Sequence, residues 1–172
     1  MIYLESPVYN ESIMNSPIRV FIAGGITGCP DFQAKVKDAL SDLPIVLMNP
    51  RRADFPIDDP GAAQEQIKWE FDHLAKATDI LFWFCADETQ PIVLFEYGKW
   101  LGRLAASMLS GEDDLSPNLE ALHVGVDPAY PRTQDVLIQT SLEMPDLEIH
   151  RSLDDLVASV RKEVSANLGL ES

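Results

Sequence analysis

The chain is short of positive charge: 13 Lys and Arg stand against 28 Asp and Glu in 172 residues, a formal net charge of -15. Affinity for nucleic-acid polymers depends mainly on basic side chains that neutralise phosphates, so no polymer of this kind is expected as a partner. A small nucleoside stays admissible, because a local pocket recognises a base and a sugar whatever the net charge. No apolar run approaches the roughly 20 residues of a membrane helix, and no membrane partner is expected. The opening MIYLESPVYNESIMNSP lacks a basic segment followed by a continuous apolar one, so it does not read as a signal peptide and a cytoplasmic protein is expected. Cysteine is scarce: Cys29 and Cys85 stand far apart outside any metal-ligand spacing, which fits reduced thiols better than a disulfide framework. His73, His123 and His150 show no ligand spacing either, so neither metal nor cofactor is expected.

What is present is the composition of one ordinary globular domain, 46% hydrophobic and 24% charged, long enough to bury a core without staples. IRVFIAGG, residues 18–25, is a short β-favouring run closed by glycines and predicts a buried strand. A helix from about Asp31 to Leu40 follows, with Phe32, Val36 and Leu40 at helical spacing. PIVLMNP predicts a second strand over residues 44–50, and RRADFPIDDPG a loop of about a dozen residues, a length more often functional than idle. Residues 62–77 read as a helix with Ile67, Phe71 and Leu74 on one face, and DILFWFC from Asp79 as a strand apolar on both faces.

A helix from about Ile92 to Met108 comes next, then a polar turn-rich stretch over residues 110–118 and a strand over residues 121–127. A helix near Thr133 to Leu142, a short strand LEIH at residues 147–150 and a helix from about Leu153 to Leu168 complete the pattern. Five strands alternating with helices predict a doubly wound parallel α/β sheet in a single domain over residues 1–172. If its strand order is flavodoxin-like, 2-1-3-4-5, ligands bind where that order reverses. GGITG and ADETQPIVLFEYG then face one crevice.

PIVLFEYG sets Glu96 between Phe95 and Tyr97, and a carboxylate among so many apolar neighbours is costly to desolvate unless something holds it. Most helical glutamates lie on an exposed edge. Glu96, however, falls about one turn into a helix that starts at the crevice, a place that suits a nucleophile able to attack an anomeric carbon. A second acid must protonate the leaving group, and Glu70, Asp72, Asp87 and Glu88 are candidates. Gly24, Gly25 and Thr27 in GGITG offer either a sugar or phosphate cradle or a plain packing turn. Trp83 and Trp100 read as core, while Trp69, beside Glu70, is placed to stack on a base.

As an ordered set, VFIAGGITGCPDFQ, LMNPRRADFP, EQIKWEFDHLAKATDILFWF and ETQPIVLFEYG resemble the nucleoside 2-deoxyribosyltransferase-like family, over residues 18 to about 105. The resemblance implies a flavodoxin-like α/β fold and cleavage of the N-glycosidic bond of 2'-deoxynucleosides through Glu96, with Glu70 or Asp72 at the base. A deoxyribosyl-enzyme then passes its sugar to another nucleobase. Relatives that act on deoxynucleoside 5'-monophosphates give it to water instead, which here makes Arg51 and Arg52 candidates for phosphate contact.

Two positions depart from the family's pattern. Six residues before the nucleophile, transferases carry an Asp that binds the sugar and the monophosphate hydrolases a Ser, whereas this chain has Gln90. Where relatives often orient the nucleophile with a Tyr, Phe21 cannot donate a hydrogen bond, leaving Tyr97, Thr27 or the glycine turn to take over. The tail NLGLES offers no match to the carboxylate that ends the transferases. Three functions are therefore expected: transfer, with Asn49 and Arg51 helping to shape the pocket; hydrolysis of a monophosphate; or nucleotide sensing without turnover. Homo-oligomerisation is implied as well, since relatives complete their sites across subunits.

Overall fold

The computed structural model describes residues 1–56, 58–110 and 118–170. The polar stretch after residue 110 and the last two residues of the tail lie outside the described residues. Six parallel strands form one sheet: β1 (Ile2–Glu5), β2 (Arg19–Gly24), β3 (Val46–Asn49), β4 (Asp79–Phe84), β5 (Ala121–Val126) and β6 (Ile149–His150). Their order is β1-β3-β2-β4-β5-β6. The sheet thus has six strands rather than the expected five, and its full order differs accordingly. The five expected strands keep 2-1-3-4-5 among themselves, and β1 is added at the edge against β3, with Ile2 opposite Val46 and Glu5 opposite Asn49.

β1 escapes a reading by pattern because IYLE is four residues long, partly exposed and closed by Pro7. An edge strand needs neither the length nor the continuous apolarity of a central one. Every residue of β3 and β4 is buried, the signature of parallel strands covered on both faces. The helices are α1 (Phe32–Ala39), α2 (Ala62–Leu74), α3 (Pro91–Ser110), α4 (Thr133–Glu143) and α5 (Leu153–Asn167). Asp31 caps α1 by accepting from the Ala34 amide, and Ser152 caps α5 by accepting from Asp155.

Two apolar layers flank the sheet. Phe21, Phe82, Phe84 and Tyr97 lie in the layer with α2 and α3, and Ile22, Trp83, Val36 and Val160 in the layer with α1 and α5. Trp83 and Trp100 are buried as expected. α2, in contrast, is turned from its expected orientation: Ile67 and Phe71 stay exposed, while Trp69 and His73 are fully buried. Positions 62, 69, 73 and 74 point inward, so Leu74 alone of the expected face is buried, because the N-terminal segment supplies a second surface to pack on. The Trp69 indole donates to the Val8 carbonyl at 2.7 Å, and Tyr9 lies against His73 with ring centroids 5.1 Å apart.

Polar residues inside the strands are paired. Asp79 accepts from Thr78 Oγ1 at 2.6 Å and faces His123 Nε2 at 3.0 Å, with both Asp79 and His123 buried. Such a pair persists in the interior only because each partner satisfies the other. The cysteines also depart from expectation. Cys29 and Cys85 form a disulfide, with Cα atoms 6.6 Å apart, within the span a disulfide bridges. Sequence distance conceals this pairing, because β2 and β4 are neighbours in the sheet although 56 residues separate the two cysteines.

Candidate active site

The chain leaves β2 toward β3 on one side and leaves β4 toward β5 on the other, so the order reverses between β2 and β4. A crevice of about 380 Å³ opens at the carboxyl ends of these two strands, where doubly wound sheets bind ligands. From β2 and its turn come Phe21, Ala23, Gly24, Gly25, Ile26 and Thr27. Pro50 follows β3 and Glu70 comes from α2, while Glu88, Gln90, Pro91, Ile92, Val93 and Glu96 come from the segment after β4 and the first turns of α3. Ile92 and Val93 precede Glu96 by four and three residues, so one helical face carries all three.

The glycines are demanded by close packing. A Cβ on Gly24 would stand 2.6 Å from the Trp83 carbonyl oxygen and 2.5 Å from the Phe32 ring. One on Gly25 would meet Cys29 Sγ and the Gln90 side chain, the latter at 2.9 Å. Gly28 adopts φ +73°, a left-handed conformation that side chains resist. The turn can therefore approach both β4 and the start of α3, which packing alone requires and a bound sugar would also use.

Glu96 is half-buried and its carboxyl is pushed up to about 7, mainly by burial, then by the nearby negative Glu70, with Lys99 opposing. Burial also raises Glu70, against a lowering hydrogen bond from Gln66 Nε2 at 2.7 Å. Both carboxyls are thus held above the usual carboxylate range, Glu96 in part by the charge of Glu70. Such a pair can provide one nucleophilic carboxylate and one proton donor.

Asp72, the alternative to Glu70, lies elsewhere. Residues 70 and 72 point about 200° apart on a helix, and Asp72 pairs with Lys68 and accepts from Tyr9 at 3.0 Å. Lys68 holds it below the usual carboxylate range, so it is a poor proton donor. Trp69 is likewise outside the crevice: its ring stacks on His73 at 4.0 Å in the core, and no face is free for a base. Tyr97 faces away from Glu96 into the aromatic cluster, with its hydroxyl 2.5 Å from Thr140 Oγ1, and burial pushes it up to about 12. It therefore does not take over the orienting role left open by Phe21.

Asn49, Arg51 and Asp87 are also set apart from the carboxyl pair. Asn49 is buried, donating to the Tyr3 hydroxyl at 2.7 Å and accepting from the Arg51 amide at 2.9 Å. The Arg51 guanidinium donates to the carbonyls of Cys29 and Pro30 at 3.1 and 3.2 Å and to Gln33 Oε1 at 3.2 Å, so it braces the glycine turn. Arg52 pairs with Glu65 at 3.0 Å. Asp87 lines a second crevice, of about 330 Å³, together with Asp127 and Arg151.

Gln90 lies between β4 and α3 with φ +49°, an uncommon conformation for a residue other than glycine. Its Nε2 donates to the carbonyls of Cys85 and Glu88 at 3.0 and 3.3 Å and lies 3.1 Å from Cys85 Sγ. Its Oε1 is buried without a partner among the described residues. An unpaired buried acceptor lining a crevice is one a ligand hydroxyl can satisfy. Ile26, Ile92 and Val93 were not singled out in sequence, although the last two were legible from their spacing to Glu96.

A doubly wound α/β protein with two acids, Glu70 and Glu96, lining its switch-point crevice defines the class. Residues 17–113, over half of the chain, match the family model described as nucleoside 2-deoxyribosyltransferase like, and the chain belongs to that family. No curated protein matches the chain closely enough to count as a relative. A related nucleoside-metabolising function follows from the family, and no described helix is long and apolar enough to cross a membrane.

Replacing Glu70 by Gln removes the negative neighbour of Glu96 while leaving its burial in place. The acid limb of kcat/KM, near pH 7 in the native protein if Glu96 must ionise, is expected to move to lower pH but not as far as an ordinary carboxylate. A pH–rate profile that stays in place would disconnect the two groups.

Proposed function

We propose that the protein is a nucleoside 2-deoxyribosyltransferase. The observation that carries the reading is that Glu96 and Glu70 line one crevice at the carboxyl ends of β2 and β4, from two different helices. In this reading the reacting form carries the proton on Glu70, the reverse of what the raised Glu96 favours in the free protein: the ionised Glu96 attacks C1' of a 2'-deoxynucleoside, the bond from C1' to the base nitrogen breaks, and Glu70 gives its proton to the departing base. A second base attacks C1' and releases Glu96, regenerating the free carboxylate. The apolar lining by Phe21, Ile26, Ile92 and Val93 limits water at the ester, which favours transfer over hydrolysis.

An uncharged nucleoside fits better than a 5'-monophosphate. Among the described residues, those lining the crevice include Glu70, Glu88 and Glu96 but neither Lys nor Arg. Arg51 and Arg52 are occupied by protein acceptors. Within this reading, Gln90 Oε1 accepts from a sugar hydroxyl, a role supported by its having no hydrogen-bond partner among the described residues. A homo-oligomer belongs to the same proposal: Ile67, Phe71, Ile92 and Phe95 stay exposed on the helices that carry Glu70 and Glu96, a surface suited to burial against a second copy.

The test supplies purified protein with a deoxynucleoside and a different free base, across purine and pyrimidine pairs. Exchanged nucleoside is the expected product. Release of base without exchange makes the protein a hydrolase, and binding without either product makes it a sensor.

A further inference from the structure

The disulfide does not itself line the crevice, and Cys85 lines the second one, but its two sulfurs pack against Gly25 and Gln90, which do. Cys29 belongs to the turn that carries Thr27, Cys85 ends β4, and their bond ties together the two strands between which the crevice opens. Gly25 has no room for a Cβ because Cys29 Sγ fills that space. On the other side, Cys85 Sγ and the Cys85 carbonyl receive the Gln90 amide that fixes where Oε1 sits. Both sulfurs are buried. A change at the disulfide therefore reaches two walls of the crevice through direct contacts.

We propose that Cys29 and Cys85 form a reversible redox pair that controls the order of this crevice, a role resting on the functional reading only in what the crevice then does. With a small thiol RSH as reductant, one thiolate attacks the disulfide to give a mixed disulfide, and a second thiolate displaces the remaining protein thiol. The balance is protein disulfide plus two RSH giving two protein thiols plus RSSR. Reduction removes the covalent tie between the turn and β4 and returns two S–H groups, one beside the Gln90 amide. The oxidised form holds the turn and Gln90 in place; the reduced form lets the turn move.

Three readouts of the full chain, equilibrated against reduced and oxidised glutathione mixtures, test the pair. Intact mass after alkylation reports thiol state, hydrogen exchange reports the order of the segments around residues 24–32 and 85–92, and base exchange reports turnover. Oxidation is expected to block alkylation at both cysteines and to slow exchange in the two segments by about tenfold or more. It is expected to raise kcat/KM by about ten- to a hundredfold. Cys29→Ser and Cys85→Ser each abolish the redox dependence of exchange, and either alone suffices if the other does not fold. Two thiols that stay alkylatable at every glutathione ratio, or exchange rates equal in both states, overturn the proposal. Absence of turnover in both states overturns the functional reading instead, and the mass and exchange data still decide the pair.

Discussion

Glu96→Gln is expected to lose on the order of 10⁴–10⁶ in kcat, the scale seen when a covalent nucleophile is removed. The amide keeps the shape of the side chain and cannot form the glycosyl ester, so a trapped deoxyribosyl peptide containing residue 96 disappears from the mass spectrum of the quenched enzyme. Stability supplies the control. A carboxyl whose folded pKa is raised to about 7 favours the protonated native state, and its contribution is lost as pH rises from the ordinary carboxylate value through 7. At pH 8 the native protein therefore bears a half-buried negative charge that the Gln variant lacks, and the variant is expected to melt higher. At pH 4 this advantage vanishes. An inactive variant with unchanged or higher Tm at pH 8 has lost chemistry, whereas one that melts lower has lost structure. Retained turnover would remove Glu96 from the mechanism.

Adding a 5'-phosphate to the deoxynucleoside is expected to cost about 10²–10³ in kcat/KM. A phosphate dianion brought near the acids Glu70, Glu88 and Glu96 meets repulsion of roughly 3–4 kcal/mol at an effective dielectric of about 20; among the described residues neither Lys nor Arg lines the crevice, and Lys99, the cation that acts on Glu96, offsets only part of it. Raising salt should narrow the gap only partly, since half-buried charges are poorly screened. Glu88→Gln removes the most exposed of the three acids and should recover about tenfold for the monophosphate while leaving the nucleoside almost unaffected. Steady-state kinetics on matched pairs read the ratio directly. A monophosphate preferred over its nucleoside would reverse the substrate assignment and require Arg51, Arg52 or Lys99 to turn into the site, or a second copy to supply the cation.

Much of this arrangement is legible before any coordinates. The apolar runs that became β2, β3 and β4 could only be strands covered on both faces, because each is too short for a helix and too continuous for an edge. Strands alternating with helical periods then imply parallel crossovers, and parallel crossovers place ligands beyond the carboxyl ends of the strands. That geometry puts the turn after β2 and the start of α3 at one place, and residues 24–27 and Glu96 line the crevice there. Local pattern fails where a partner is distant. IYLE carries too little apolar signal to announce β1, and only its ladder with β3 makes it a strand.

α2 shows the same limit inside an element. Its periodicity allows either Ile67 and Phe71 or Trp69 and His73 to face inward, and the choice is made by the N-terminal segment that accepts the Trp69 indole and packs on His73. That choice turns Glu70 toward Glu96 and Asp72 toward Lys68 and Tyr9. Cys29 and Cys85 are likewise remote in the chain and adjacent in space only because β2 pairs with β4.

By itself, the sequence determined the layered α/β class, the strands at its centre and the helix that starts at the crevice, since these follow from period and length. Only the tertiary structure decided which acid stands beside Glu96, where the arginines are spent and that the cysteines meet. Each of these depends on the direction a side chain takes toward residues tens of positions away, and periodicity holds no information about that direction.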